Sequence, residues 1–348
     1  MPHVAHTASS TLDTAIKRKI AIYSVLWIAP RQGSGMLESV VPREGVSQMP
    51  AKPYQGSVPE ISNPQKVFWP EQGYTKLDLA RYYQQVFPML RPYVLDRFLT
   101  LERCPDGMAG QCFYQKERPP SMPSGTPTKR LKNAAGTRRS TNYVLGGSLQ
   151  TQLALVNLGC IPIHVMGSRA KTFPNPDWVC FDLDPASGKF RDAARAAGQI
   201  KEVLDHLGLV SFPKTSGSRG LHIFIPIRVG PPAKDVLSFA EALVKRAAEL
   251  HPKELSVDRA IKDRGNRVYL DPFRNGSVQT VVTPYSVRRR AGAPVSTPLA
   301  WAEVKESIEP AQFNIRNFGQ RMAREDPWKD FFKSRQSLAP AIFKLKKL

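Results

Sequence analysis

Apolar positions recur along most of the chain with periods that separate helices from strands. Leu79, Tyr83, Val86 and Leu90 fall at helical spacing, and Thr75-Lys76-Leu77-Asp78 just ahead of them has capping-box form, with Asp in the usual Glu place. A helix is therefore predicted over residues 76–93. Strands are predicted over 98–103 and 111–116, a second helix from Ser148 to the stop at Gly159, and a strand over 161–165. Residues 119–139 are rich in Pro, Ser, Lys and Arg and read as a basic loop.

The pattern is most regular from residue 178 onward. A strand over 178–183 precedes a helix over 192–207, with Ala193, Ala197, Ile200, Leu204 and Leu207 on one face and Gly208 as its stop. Strands over 209–213 and 221–227, a helix over 236–250 with a stripe at Val236, Ala240, Leu243, Ala247 and Leu250, and strands over 267–270 and 278–282 complete the series. The order β-α-β-β-α-β is the split-βαβ, ferredoxin-like arrangement. It predicts an antiparallel sheet with two helices on one face, leaving the other face free to carry a site. Residues before about 52 lack sustained periodicity and are expected to form a poorly ordered extension.

Composition narrows the picture. Over 348 residues, 50 Lys and Arg stand against 29 Asp and Glu, a formal charge of +21. An excess this large points to a polyanionic partner, because neutralised phosphates release counterions. With 41% apolar and 23% charged residues, the chain has the makings of a folded core, which excludes a wholly disordered protein. No apolar run reaches about 18 residues, so no bilayer-spanning helix is expected. Residues 20–30 follow Lys17, Arg18 and Lys19 in the manner of a short leader, but the run is brief and no small-residue cleavage pattern follows. Cys104, Cys112, Cys160 and Cys180 have neither CxxC nor zinc-ligand spacing. Cys160 and Cys180 read as buried thiols, and a reducing, cytoplasmic compartment is expected.

Three motifs carry candidate chemistry. Asp182 and Asp184 are two apart at the end of a strand, so they share a face. Carboxylates held that close repel unless a cation intervenes, and a hard divalent ion is the natural partner. A DxD pair alone, however, more often caps a helix or faces solvent. In the run Lys214 to His222, small residues and glycines permit a turn whose N–H groups face an anion. Ser216 adds a hydroxyl donor, and Lys214 and Arg219 add charge. His222 lies opposite the stripe of Leu221, Ile223, Ile225 and Ile227, which argues against a core histidine, although a plain Gly/Ser hairpin has comparable weight. Asp271 ends a third apolar strand. If that strand lies beside the first, Asp271 completes a cluster with Asp182 and Asp184 of the kind that binds two metals in nucleotidyl transfer. Arg274 and Arg288 are candidates to clamp phosphates.

With these motifs in place, the sequence resembles the polymerase domain of bacterial LigD, the end-joining branch of the archaeo-eukaryotic primase superfamily. The resemblance runs from about residue 53 to 338, through SNPQKVFWPEQGYTKLDLARYY, TLERCPDGMAGQCFYQK, LVNLGCIPIHVMGSR, DWVCFDLDP, KTSGSRGLHIFIPI, VYLDPFRN, YSVRRRAGAPVSTPL and a late DPW. It implies that Asp182, Asp184 and Asp271 are catalytic metal ligands. It implies nucleotide-binding roles for Ser216, His222, His164, Arg274, Arg288 and Arg219. Lys66 and Lys76 match lysines that hold a 5′-phosphate, and Phe113 and Tyr114 match an aromatic pair near the template, with Lys116 beside them. The chain departs from the family at Pro162 and Val165-Met166 around His164, where an acidic residue ahead of an H-P-W segment is usual. It departs again at Arg219, where lysine is common, and over 118–142, which is unusually basic.

The expected fold is α+β: a primase-polymerase fold with a split-βαβ palm over 175–299, packed on an N-terminal α/β part over 53–174 and covered by 300–345, with 1–52 outside the domain. The resemblance implies a template-dependent nucleotidyltransferase that adds dNTPs or rNTPs to a 3′-hydroxyl at DNA gaps or breaks. Two divalent cations, Mn or Mg, are the expected cofactors. DNA with a gap, break or 5′-phosphate, an end-binding protein and a separate ligase are the expected partners, with no membrane. The length leaves no room for ligase or nuclease modules, so a stand-alone polymerase is expected. A primase that starts strands de novo uses the same cluster. A non-catalytic DNA-binding relative would not need the carboxylates, Ser216 and His222 intact, and a metal-dependent nuclease would not need the Ser, His and Arg set.

Overall fold

In a computed structural model of the chain, residues 60–132 and 140–348 are described; the expected extension over 1–52 and residues 133–139 lie outside them. The described residues fall in one compact unit. A short antiparallel pair, β1 (Val67–Trp69) and β2 (Tyr74–Thr75), leads into α1 (Lys76–Val94). The predicted capping box is formed: the Asp78 N–H donates to Thr75 Oγ1 at 3.2 Å, and the Thr75 N–H to Asp78 Oδ2 at 2.8 Å. The four residues that predicted this helix, Leu79, Tyr83, Val86 and Leu90, are all fully buried.

The first sheet contains β3 (Arg97–Arg103), β4 (Phe113–Gln115), β7 (Cys160–Arg169) and β13 (Thr280–Val282) in the order β13-β7-β3-β4. Helix α1 and α2 (Leu149–Asn157) pack together beside it. The second sheet contains β8 (Trp178–Pro185), β9 (Phe212–Thr215), β10 (Leu221–Pro226), β11 (Leu255–Ser256) and β12 (Val268–Asp271) in the order β11-β12-β8-β10-β9. The pairs β12-β8, β8-β10 and β10-β9 are antiparallel. Helices α3 (Phe190–Leu207) and α4 (Ala233–Leu250) contact the second sheet, and Gly208 ends α3 in the left-handed region at φ 76°.

Four expectations change. The face of the second sheet opposite the helices is not free along its length. Trp178, Cys180 and Phe224 join the core of the N-terminal half, and Trp328 and Phe331, stacked at 5.0 Å, close over Phe212 and Phe224. Only the polar end of that face stays open. The strand expected over 278–282 pairs with β7, not with the palm strands, because Val282 sits opposite His164. The basic stretch 119–139 is not all loop: β5 (Thr128–Lys132) pairs with β6 (Ser140–Val144) in an exposed ribbon. Its apolar content is too low for periodicity to reveal a strand. Finally, Cys104 and Cys112 form a disulfide, since antiparallel pairing of β3 with β4 brings their Cα atoms within 4.4 Å; Cys160 and Cys180 are buried thiols, as expected.

A buried ion pair ties the two sheets together. Arg97, at the start of β3, and Asp177, just ahead of β8, are 0% and 1% exposed and bonded to each other. Arg169 donates to the second Asp177 oxygen at 2.8 Å, and the Arg97 guanidinium lies 3.4 Å from the centre of the Trp178 ring. Burial lowers the Arg97 pKa to about 10, against the pull of Asp177. Asp177→Ala should cost about 3–5 kcal/mol in denaturant unfolding, because it leaves an uncompensated buried guanidinium. A loss below about 1 kcal/mol would show that the pair is incidental.

Candidate active site

Sheet register builds the site. Asp182 on β8 lies opposite Asp271 on β12 and opposite His222 on β10, and His222 lies opposite Lys214 on β9. Lys214, His222, Asp182 and Asp271 thus form one cross-strand row on one face. Asp184 is two residues along β8 on the same face, opposite Tyr269. The three carboxylates foreseen from the sequence are brought together here.

Arginines stand among them. Arg274 Nε lies 3.2 Å from Asp182 Oδ2 and 3.4 Å from Asp271 Oδ2. Arg264 Nη1 lies 3.2 Å from Asp184 Oδ2, with its guanidinium over the Tyr269 ring at 4.2 Å. The Phe273 N–H donates to Asp271 Oδ1, and His222 Nε2 lies 3.2 Å from Asp182 Oδ1. Burial works against ionisation of Asp182, but His222, Arg274 and Lys214 outweigh it and hold the carboxyl below its usual range. Burial dominates at Asp271 and raises its pKa. Neighbouring carboxylates are thus pushed apart in acidity.

The turn after β9 supplies the opposite wall. Ser216 Oγ accepts from the N–H groups of Ser218 at 3.1 Å and Gly220 at 3.2 Å. Its own proton has no acceptor among the described residues and is left for the cleft. Gly217 is left-handed at φ 68°, and a Cβ there would meet Arg288 Cγ at 2.6 Å; a Cβ at Gly220 would meet the Leu183 carbonyl at 2.3 Å. Arg288 threads past this turn and donates to the Ser216 carbonyl at 3.1 Å. It is held there because Tyr82 and Tyr83 of α1 bond the backbone of Tyr285 and Val287. Lys214 departs from expectation: it is fully buried behind His222 and does not face the cleft.

The resulting cleft has a volume of about 730 Å³. Its walls include Asp182, Asp184, Asp271, Ser216, His222, Arg219, Arg274 and Arg288. They also include Arg259, Arg264, Tyr269 and Arg290, which were not foreseen; the run VDRAIKDRGNR before β12 was the available signal for Arg259 and Arg264. His164 does not line the cleft. It sits in β7 with Glu102 Oε2 at 3.5 Å from Nε2 and the Tyr114 ring at 6.1 Å. Glu102 therefore supplies, from β3, the acidic neighbour absent from the segment around His164. Phe113 and Tyr114 are 44% and 66% exposed on β4, and Lys116 beyond them is exposed. Lys66 and Lys76 are neighbours through a backbone bond, but they differ in exposure. Lys66 is partly exposed and bonds Asp106 at 2.6 Å, whereas Lys76 is 4% exposed and donates to the Ser62 carbonyl and hydroxyl.

Among the described residues, no three His, Cys, Asp or Glu side chains converge on a single ion position. The donor chemistry nevertheless suits a hard cation: three carboxylates on adjacent strands, with guanidinium groups standing where positive charge is required.

The family described as LigD, primase-polymerase domain, matches residues 75–328. The multifunctional non-homologous end joining protein LigD of Pseudomonas aeruginosa is 29% identical over 299 residues, covering 81% of this chain and 34% of its own length. The bifunctional LigD of Bacillus subtilis is 29% identical over 289 residues, covering 81% and 46%. The chain therefore spans between a third and a half of these relatives. The polymerase domain of Mycobacterium tuberculosis ligase D, solved in complex with DNA, matches with a TM-score of 0.74 at 26% identity, over 79% of this chain and 98% of that one.

The Glu102 cluster gives a pH test. Burial opposes ionisation of Glu102, but His164 and Arg289 lower its pKa from 4.5 to about 2. A carboxylate with a depressed folded-state pKa stabilises above its unfolded value, and that stability is lost as pH falls through the folded value. Denaturation curves should therefore lose up to roughly 3 kcal/mol from this group as pH falls from 4.5 to 2. Glu102→Gln should flatten that limb; an unchanged limb would contradict the assignment.

Proposed function

The chain belongs to the LigD primase-polymerase domain family, and on that premise we propose that it is a template-dependent nucleotidyltransferase. It would extend a 3′-hydroxyl with dNTPs or rNTPs at DNA gaps or breaks. The observation that carries this reading is the cleft that three strand-end carboxylates share with Ser216, His222, Arg219 and Arg288. A nuclease has use for the carboxylates, but the opposite wall of donors suits a triphosphate.

Asp182, Asp184 and Asp271 would hold two divalent cations, Mg²⁺ or Mn²⁺. Such ions supply activation of the attacking hydroxyl and neutralisation of the departing pyrophosphate. The protein's own residues do the rest. Arg288, anchored at the Ser216 carbonyl, offers its remaining N–H groups to phosphate oxygens. Arg219, exposed at the rim, adds charge, while the Ser216 hydroxyl and the His222 ring add short-range donors. Arg274 neutralises Asp182 and Asp271 before substrate arrives.

DNA is the proposed polymer, in keeping with the charge of +21 and with the DNA complex of the mycobacterial polymerase domain. The exposed rings of Phe113 and Tyr114 offer stacking platforms that do not depend on sequence. Lys129, Arg130 and Lys132 on the exposed ribbon offer phosphate contacts. Lys66 is the better placed of the two lysines for a 5′-phosphate, which would displace Asp106 from it. An end-binding protein and a DNA ligase are the partners that sealing a break would require.

Mn²⁺, a labelled primer on a gapped template, and each nucleotide pool in turn should yield extension by the full chain, abolished in Asp182→Ala. No extension with any pool would overturn the polymerase reading, and equal synthesis on an unprimed template would favour a primase. With a 5′-phosphate on the downstream strand, Lys66→Ala should weaken gap binding roughly tenfold, the worth of one charge-assisted hydrogen bond. The same variant should change nothing when that phosphate is absent. Equal losses with and without the phosphate would contradict the assignment.

A further inference from the structure

Lys214 carries an amine into the core without a carboxylate contact among the described residues. The residue is 0% exposed. Its Nζ has two polar partners, His222 Nδ1 at 2.9 Å and Ser296 Oγ at 2.6 Å, and lies 5.6 Å from the centre of the Phe224 ring. Burying a charged amine against a hydroxyl and an imidazole is costly, and burial depresses its pKa to about 7. A structural filler at this position would be better served by Met or Leu. The cross-strand row instead places Lys214 directly behind the His222 ring, which lines the cleft.

The protons around this ring can be counted. Ser296 Oγ donates to the Thr215 carbonyl at 2.9 Å, so towards Lys214 it can only accept. At the other end, the ionised Asp182 carboxylate accepts only, and its Oδ1 is 3.2 Å from His222 Nε2. Lys214 Nζ carries N–H groups whether charged or neutral, and at 2.9 Å from Nδ1 it is met there by a lone pair, so the ring carries one proton. Its single proton therefore sits on Nε2, and Nδ1 is a bare acceptor that receives an N–H from Lys214. Donation runs one way along the row, from Lys214 through His222 to Asp182. If Asp182 turns to another partner, its demand on Nε2 disappears and Lys214 alone keeps the proton on the cleft side.

We propose that Lys214, itself set by Ser296, is a positioning residue that locks His222 as the Nε2–H tautomer, so that the ring always presents a donor to triphosphate oxygens. The donor role rests on the polymerase reading; the tautomer lock does not. Without Lys214, and once Asp182 has turned to another partner, the ring is free to place its proton on Nδ1 and to turn a bare nitrogen lone pair on an anionic phosphate.

The test uses the full chain labelled with ¹⁵N at its 6 histidines, with the His222 signal assigned by His222→Gln. Long-range ¹H–¹⁵N spectra should show the Nε2–H pattern in the wild type and in Asp182→Ala, where Lys214 alone acts on the ring, and a shift towards Nδ1–H or a mixture when Lys214→Met is added to Asp182→Ala. In the same background Lys214→Arg, whose guanidinium can only donate, should retain the Nε2–H pattern. Ser296→Ala, a milder change, should loosen the lock if Lys214→Met fails to fold. Affinity for a non-hydrolysable nucleoside triphosphate should fall roughly tenfold in Lys214→Met. It should fall little further when His222→Gln is added, because the two substitutions remove one coupled function. An Nδ1–H or charged ring in the wild type, or an unchanged tautomer when Lys214→Met is added to Asp182→Ala, would overturn the lock. A shifted tautomer with unchanged triphosphate affinity would overturn the donor role. If the wild type binds no triphosphate, the polymerase reading falls, while the spectra still decide the lock.

Discussion

Two carboxylates that face each other across neighbouring strands must be neutralised, and the local structure around the cleft follows from that demand. Asp182 and Asp271 are cross-strand partners, and Arg274 lies within 3.4 Å of an oxygen on each. Like charges at such separations destabilise a sheet unless a cation or proton intervenes. The protein answers with Arg274 between the pair, Arg264 on Asp184 and the His222 ring 3.2 Å from Asp182. The acidic minority is thus embedded in the basic majority, and the +21 charge is locally a means of letting acids sit together.

Holding that cluster requires a rigid frame. Trp328 and Phe331 seal the apolar half of the face against Phe212 and Phe224, so only the charged half meets solvent. Arg97 and Asp177 clamp the start of β3 to the approach of β8, the strand that carries Asp182 and Asp184. Tyr82 and Tyr83 fix the segment that delivers Arg288. Each device lies away from the cleft and sets the position of an element that lines it.

Much of this was legible in the sequence because it was local. The capping box at Thr75, the stripes of α3 and α4 and the strands ending in Asp182 and Asp271 are periodicity and punctuation. Tertiary placement was not legible. The strand ending in Val282 has an ordinary apolar pattern, and nothing in that pattern says it leaves the palm to pair with β7. Lys214 reads as a surface cation beside a Gly-rich turn, and only the register with His222 shows that it points inward. Glu102 was hidden for the same reason, since it meets His164 and Arg289 from distant parts of the chain. The disulfide between Cys104 and Cys112 depends on β3 pairing with β4, which spacing alone does not dictate.

The central claim is that the three carboxylates form a site for divalent cations that a triphosphate completes. Electron paramagnetic resonance of free Mn²⁺ during titration of the full chain measures it without relying on turnover. Mn²⁺ binding should be weak alone, should strengthen on adding a non-hydrolysable nucleoside triphosphate, and should lose that gain in Asp271→Asn. Equal Mn²⁺ binding by the wild type and Asp271→Asn in the presence of the triphosphate would contradict the account.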